Sequence, residues 1–349
     1  MERILKAWLA VGLGLGIQAA GAQEVLPDKP PIPDDNPMTE AKIRLGKQLY
    51  FDPRLSSTGA ISCNSCHNLM AGGDDSRGGS VGVEGQVGGR SAPTVWNAAF
   101  MTTQFWDGRA PSLEKQAQGP FLNPVEMGMS SGEAVAERVR SVPGYRNQFK
   151  AVFGGDHPVT YENISKAIAA FERTLLTPNS PVDQYLKGNK SALSESAQRG
   201  VKLVNDVGCT SCHTGPIYAG PGSMPMGQGF FQKFPTYTDN KYVDKYHLME
   251  DKGRYEATGE ESDKHLWKVP TWRNVAVTPP YFHNGSVVSL DEAVRVMAKT
   301  QLNKELSDQQ VKDIVAFLNG LTGEFPEITI PRLPPLPPEE VKALTTAKD

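Results

Sequence analysis

The chain has 349 residues, 39% of them hydrophobic and 21% charged, which is enough for two domains that each bury a core. Its formal charge is -3 and no run of Lys or Arg occurs in it, which excludes a protein built to bind nucleic acid and suits a neutral or basic partner. The 34 glycines and 27 prolines predict many loops.

Residues 1–22 read as a secretory signal: Arg3 and Lys6 open it, Ala7 to Ile17 is apolar, and Ala20-Gly-Ala22 is a small-residue cleavage site. The apolar run is too short for a membrane span, so the mature protein is expected to be periplasmic and to have no span once the signal is cleaved. Glu24 to Pro37 is proline-rich and expected to be extended. Thr39 caps a helix running to about Phe51. A loop then leads to Cys63-Asn-Ser-Cys66-His67, and Ala71 to Gly89 is rich in glycine, as expected of backbone passing close to a bound group. Ser130-x-x-Glu133 reads as a capping box opening a helix over Glu133–Ser141 that Pro143-Gly144 ends, and Tyr161 to Leu176 reads as an amphipathic helix closed by Pro178. From Ser194 another helix leads into Cys209-Thr-Ser-Cys212-His213. Thr214 to Lys264 is predicted to be a long loop, followed by helices over Leu290–Lys299 and Asp308–Leu321 and a proline-rich surface tail over 326–349. Strand signals are few, and the fold class is mainly α.

Two C-x-x-C-H pentads consume every cysteine of the chain. That spacing serves covalent haem c: two thiols bond the porphyrin and the adjacent imidazole binds iron. Zinc would want a closed set of four ligands, and each isolated Cys-Cys-His set supplies three. Two covalent haem c groups are therefore expected, in place of zinc or a disulfide pair. An internal duplication accompanies them. Gly46-x-x-Leu49 matches Gly200-x-x-Leu203, and Pro93-Thr94, Asn97, Ala99, Gly108 and Leu113 match Pro270-Thr271, Asn274, Ala276, Gly285 and Leu290 at one offset of 177 residues (93 to 270). Two c-type cytochrome domains follow, 23–184 and 185–325, joined across an interface with long loops.

What differs at matched positions assigns the work. Met297, a candidate sixth ligand, matches Pro120, with Met224, Met226 and Met249 as competitors. A His/Met haem has no free site and a raised potential, which suits passing electrons. Gln116 and Glu126 match Ala293 and Asn303. A carboxyl near an open haem can move a proton between peroxide oxygens, and an amide can orient the ligand. Trp106 matches His283 and could lie between the haems; a buried structural indole is the commoner use of Trp.

The paired pentads, Ala92-Pro-Thr-Val-Trp-Asn97, Gln104-Phe-Trp-Asp-Gly-Arg109, Asn123-Pro-Val-Glu-Met127, Val269-Pro-Thr271 and Pro280-Tyr-Phe-His283 together resemble the bacterial di-haem cytochrome c peroxidases, over about Lys42 to Phe325. The resemblance implies a peroxidatic N-terminal haem and an electron-transferring C-terminal haem. It implies that Met297, fourteen residues after His283, is the sixth ligand of the second haem. It makes Glu126 the acid/base, Gln116 its companion and Trp106 the bridge. It also implies a homodimer, a small cytochrome c or cupredoxin as donor to hydrogen peroxide, and a calcium ion on the carbonyls of Thr278 and Pro280, where Ser91 replaces the family's asparagine. Most members carry a capping histidine sixteen residues after the first haem-ligating His, where this chain has Val83. The alternatives are a di-haem enzyme that oxidises a protein side chain, like the tryptophylquinone-forming relatives, and a non-catalytic di-haem electron carrier.

Overall fold

The computed structural model describes residues 24–337; the expected signal, 1–22, and the tail beyond 337 lie outside them. The proline-rich arm runs without helix or strand and buries Leu26 beside Met101 and Ile217. Thr39 caps α1 (Glu40–Phe51) by accepting the Lys42 N–H, and α2 (Cys63–Cys66) is the single turn made by the first C-x-x-C. α3 (Leu113–Leu122) follows a Ser112 cap and carries Pro120 in its interior, which hides it from pattern reading. α4 (Gly132–Ser141) is capped by Ser131 rather than Ser130, and Glu133 reaches forward to Arg140 instead of back to the cap. Pro143 does not simply end that helix. It takes the first position of α5 (Pro143–Phe153), where its fixed φ and missing N–H cost nothing.

α6 (Tyr161–Glu172) is shorter than expected, because the chain turns at Arg173. α7 (Pro181–Leu186) and α8 (Glu195–Val207) follow, the latter capped by Ser194 and closed by Gly208 in the left-handed region. The expected loop over 214–264 is not wholly irregular: it holds β1 (Phe231–Lys233), α9 (Lys241–Lys245) and α10 (Tyr255–Thr258). β2 (Leu266–Lys268) pairs antiparallel with β1, and α11 (Leu290–Leu302) and α12 (Asp308–Asn319) are the last helices among the described residues. The protein is mainly helical, and among the described residues no helix is long and apolar enough to cross a membrane.

One core gathers α1 and α3 to α6 around Leu45, Tyr50, Phe121, Phe149 and Ile164; another gathers α7, α8 and α12 around Val182, Val204, Ile314 and Phe317. α1 crosses α6 where a Cβ on Gly46 would stand 1.8 Å from the Ala167 carbonyl oxygen. α8 crosses α12 where a Cβ on Gly200 would stand 2.1 Å from the Asp313 carbonyl oxygen. Glycine is required at both crossings by backbone approach. Local conformation also repeats at the 177-residue offset: Asn97 and Asn274 sit at φ 60° and 61°, and Phe105 and Phe282 at 68° and 69°. The tail returns across α1, where Gln48 donates to the Arg332 carbonyl (2.9 Å) and Pro334 is buried.

Candidate haem sites

α2 presents Cys63 and Cys66 as free thiols at a cavity of about 370 Å³ that His67 also lines. The His67 Nδ1–H donates to the Pro93 carbonyl (2.9 Å), which leaves the Nε2 lone pair for a metal, and burial holds the imidazole neutral by lowering its pKa. The apolar floor comes from α3 and α6, with Ala117, Phe121 and Ile168. Gln116 and Glu126 line the same cavity. Burial raises the Glu126 carboxyl above its ordinary value, while Arg109 and the Asn123 amide (2.8 Å) pull it back. Of the glycine-rich stretch, Gly82, Gly88 and Gly89 reach the cavity; Gly72 and Gly79 are instead pressed against backbone carbonyls.

The second pentad opens on a separate cavity of about 250 Å³ lined by Cys209, Cys212 and His213. The His213 Nδ1–H donates to the Tyr218 carbonyl (2.9 Å), the ring stacks on Trp272 at 4.3 Å, and burial pulls its pKa down to about 4. Met297, on α11, lines this cavity. Met224 and Met226 line a different one, and Met249 is on the surface. Trp106 borders both haem cavities, its indole N–H donating to the Ser91 carbonyl (2.8 Å). The Ser91 N–H in turn donates to the His283 carbonyl (2.7 Å). Val83 is buried but does not line the His67 cavity; it packs on Gly128, and its N–H donates to the Glu126 carbonyl (2.9 Å).

Ser91, Thr278 and Pro280 line one cavity together and offer only neutral oxygens. Among the described residues no group of three or more His, Cys, Asp or Glu is arranged to hold a metal ion.

Sequence reasoning assigns no site role to several residues that line these cavities. Glu172 is buried in the His67 cavity with Oε2 unpartnered, and burial, opposed by Arg173, pushes its carboxyl up to about 8. In sequence it is one more residue on the α6 pattern. Met127, beside Glu126, also lines the His67 cavity. His283 Nε2 is buried and unpartnered in the His213 cavity, its ring stacked on Trp267 at 4.1 Å. Buried polar atoms without a partner, beside free thiols and an imidazole with a free Nε2 lone pair, fit cavities that each hold a bound haem.

Two such sites in one helical chain define a c-type cytochrome with two haem-attachment cavities, and carboxyl groups line only the first. The sequence profile of the di-haem cytochrome c peroxidases matches residues 40–191. The chain is 44% identical to cytochrome c551 peroxidase of Nitrosomonas europaea over 94% of its own length and 93% of that protein's. It is 41% identical to cytochrome c551 peroxidase of Pseudomonas aeruginosa over 93% and 91%. Among solved structures, a MauG-like protein associated with microbial copper homeostasis superposes with a TM-score of 0.74 at 29% identity, covering 87% of this chain and 95% of that one. The chain belongs to the di-haem cytochrome c peroxidase family and is an oxidoreductase of that kind.

Proposed function

We propose that this chain is a periplasmic peroxidase reducing hydrogen peroxide to water with two electrons from a small cytochrome c or cupredoxin. One haem c would be held by Cys63, Cys66 and His67, the other by Cys209, Cys212, His213 and Met297. Bound there, haem supplies the iron that takes peroxide and the relay that feeds it electrons. The chain's own groups do the rest. Asn123 holds one Glu126 oxygen (2.8 Å), and the carboxyl gives and takes the peroxide proton. Gln116 orients the substrate by hydrogen bonding. Trp106, on the wall shared by the two cavities, carries the electron path between them. The matched geometry at the 177-residue offset supports two haem units of common plan, 23–184 and 185–325.

The observation that carries the reading is the unequal furnishing of the two cavities. Glu126 and Gln116 line the first, Met297 the second, and Trp106 both. The experiment is steady-state peroxide reduction with a reduced small cytochrome, starting from fully oxidised enzyme, and turnover is expected. Haems that exchange electrons without peroxide turnover would mark a non-catalytic carrier. The second reading, oxidation of a protein side chain, is favoured by valine at position 83 in place of a capping histidine; Met297, which lines the His213 cavity, favours the peroxidase. A calcium ion on Thr278, Pro280 and Ser91 would have neutral ligands from the chain, so it should be lost readily to a chelator. A homodimer is the assembly proposed.

A further inference from the structure

The His213 cavity has an almost wholly neutral wall. Among the described residues that line it, Lys268 is the one Lys or Arg, and no Asp or Glu joins it. Its two histidines, His213 and His283, are both held neutral by burial, each with a pKa pulled down to about 4. The Lys268 amine has a poor partner, the thioether sulfur of Met101 at 3.2 Å, and no carboxylate among the described residues forms an ion pair with it. The charge that acts on it, Asp107, is already taken: its Oδ2 accepts from Arg90 (2.6 Å) and Arg109 (2.8 Å), and its Oδ1 from the Arg109 backbone N–H (3.1 Å). Burial pulls the Lys268 pKa down to about 8, so the amine is still mostly protonated at neutral pH. A protonated amine in a wall of neutral groups is costly unless an anion arrives to meet it.

Its position is also fixed. The Lys268 N–H donates to the Trp106 carbonyl (2.9 Å), and β2 pairs the residue with Phe231 of β1. The strand therefore fixes the backbone of residue 268 beside Trp106, the residue that borders both cavities, and its side chain lines the second.

We propose that Lys268 is the anion anchor of the second haem site: its ammonium binds a carboxylate of the haem attached at Cys209 and Cys212. This rests on the di-haem reading. Haem carries two propionate carboxylates, and this cavity supplies no other formal cation to receive them. The contact would orient a haem held there, and its positive charge would offset the carboxylate's stabilisation of the oxidised iron.

Lys268 also borders an outer cavity of about 410 Å³ with Pro27 and Met224, so a free anion in that cavity is the competing partner. The test uses the full-length holoprotein as wild type, Lys268→Met and Lys268→Arg. Covalent haem is counted as the pyridine haemochrome, and each haem's potential is read by spectroelectrochemistry with and without inorganic phosphate. The expected result is two haems in all three proteins. The second haem's potential should fall in Lys268→Met, stay near wild type in Lys268→Arg, and ignore phosphate. An unchanged potential in Lys268→Met overturns the anchor. So does a wild-type potential that moves with phosphate, a measurement that needs no variant to fold. A wild type with fewer than two haems overturns the di-haem reading itself, and the anchor with it.

Discussion

Glu126 and Glu172 line one cavity, yet their neighbours hold them in different states. Glu126 is buried but has Arg109 and Asn123 to offset that burial. Glu126→Gln should keep both haems and their spectra and lose turnover by roughly 10²–10⁴-fold, the usual worth of a positioned acid/base. A loss under about tenfold would move the proton chemistry to another group, with Glu172 next in line. Glu172 has a folded pKa of about 8 against an ordinary 4.5. Between those values the unfolded chain releases a proton that the folded chain keeps, so stability falls as pH rises through that window, by up to roughly 1.4 kcal/mol per pH unit. Thermal midpoints of the holoprotein should decline across it, and Glu172→Gln should flatten the decline. Equal slopes in the two proteins would mean that the carboxyl is ionised in the folded state. At the second site, Met297→Ala should remove the sulfur-to-iron absorption band and lower that haem's potential. A surviving band would hand the ligand role to another methionine, and a bis-histidine spectrum in the wild type would hand it to His283.

At the level of elements, the loop around Val83 is tied to the segment that bears Glu126. Val81 bridges Val87, the Gly82 N–H donates to Gln86 (2.8 Å), and a Cβ on Gly82 would stand 2.0 Å from the Val125 carbonyl oxygen. With Val83 packed against Gly128, position 83 offers the His67 cavity no ligand. The fully oxidised enzyme should therefore already hold a high-spin N-terminal haem and react with peroxide without prior reduction. Electron paramagnetic resonance reads this directly, and two low-spin signals with no peroxide reaction until an electron is added would refute it. Sequence carries this much because it records residue type at fixed spacing: the pentads, Val83, and helices that start at Thr39 and Ser194. It fails where a residue has two local meanings. Pro143 is both a stop and a first helical residue, and Pro120 sits inside a helix held by tertiary packing. Glu172 and Lys268 were unreadable for another reason. Their significance lies in which wall they face, and that is fixed only when α3 meets α6 and β2 meets the Trp106 segment.

On the scale of the whole molecule, buried polar groups tie together segments far apart in the chain. Asn97 and Asn274, at matched positions, both donate to the Thr177 hydroxyl, at 2.7 and 2.9 Å. Nearby, Arg273 grips Asp183 with two hydrogen bonds of 2.8 and 2.9 Å, and the two side chains are 1% and 0% exposed. The same guanidinium donates to the carbonyls of Pro216 and Glu24, and Asp183 accepts the Leu26 N–H, so the pair also fastens the N-terminal arm. Burial alone would raise the Asp183 carboxyl; Arg273, Ser180 and the Leu26 N–H together outweigh it and hold the group below its ordinary value. Arg273→Met would leave that carboxylate buried without its cation, which costs about 3–5 kcal/mol. Because the folded pKa of Asp183 is depressed, the pair's contribution is present above the unfolded value near 3.8 and is lost as pH falls through the folded one. The stability gap between wild type and Arg273→Met should thus be widest at neutral pH and close in acid, with both haems retained. Adding Asp183→Asn to the variant should recover part of the loss, since it removes the stranded charge. A gap that does not change with pH, together with no recovery in the double variant, would show that Arg273 stabilises the fold by packing rather than by holding this carboxylate.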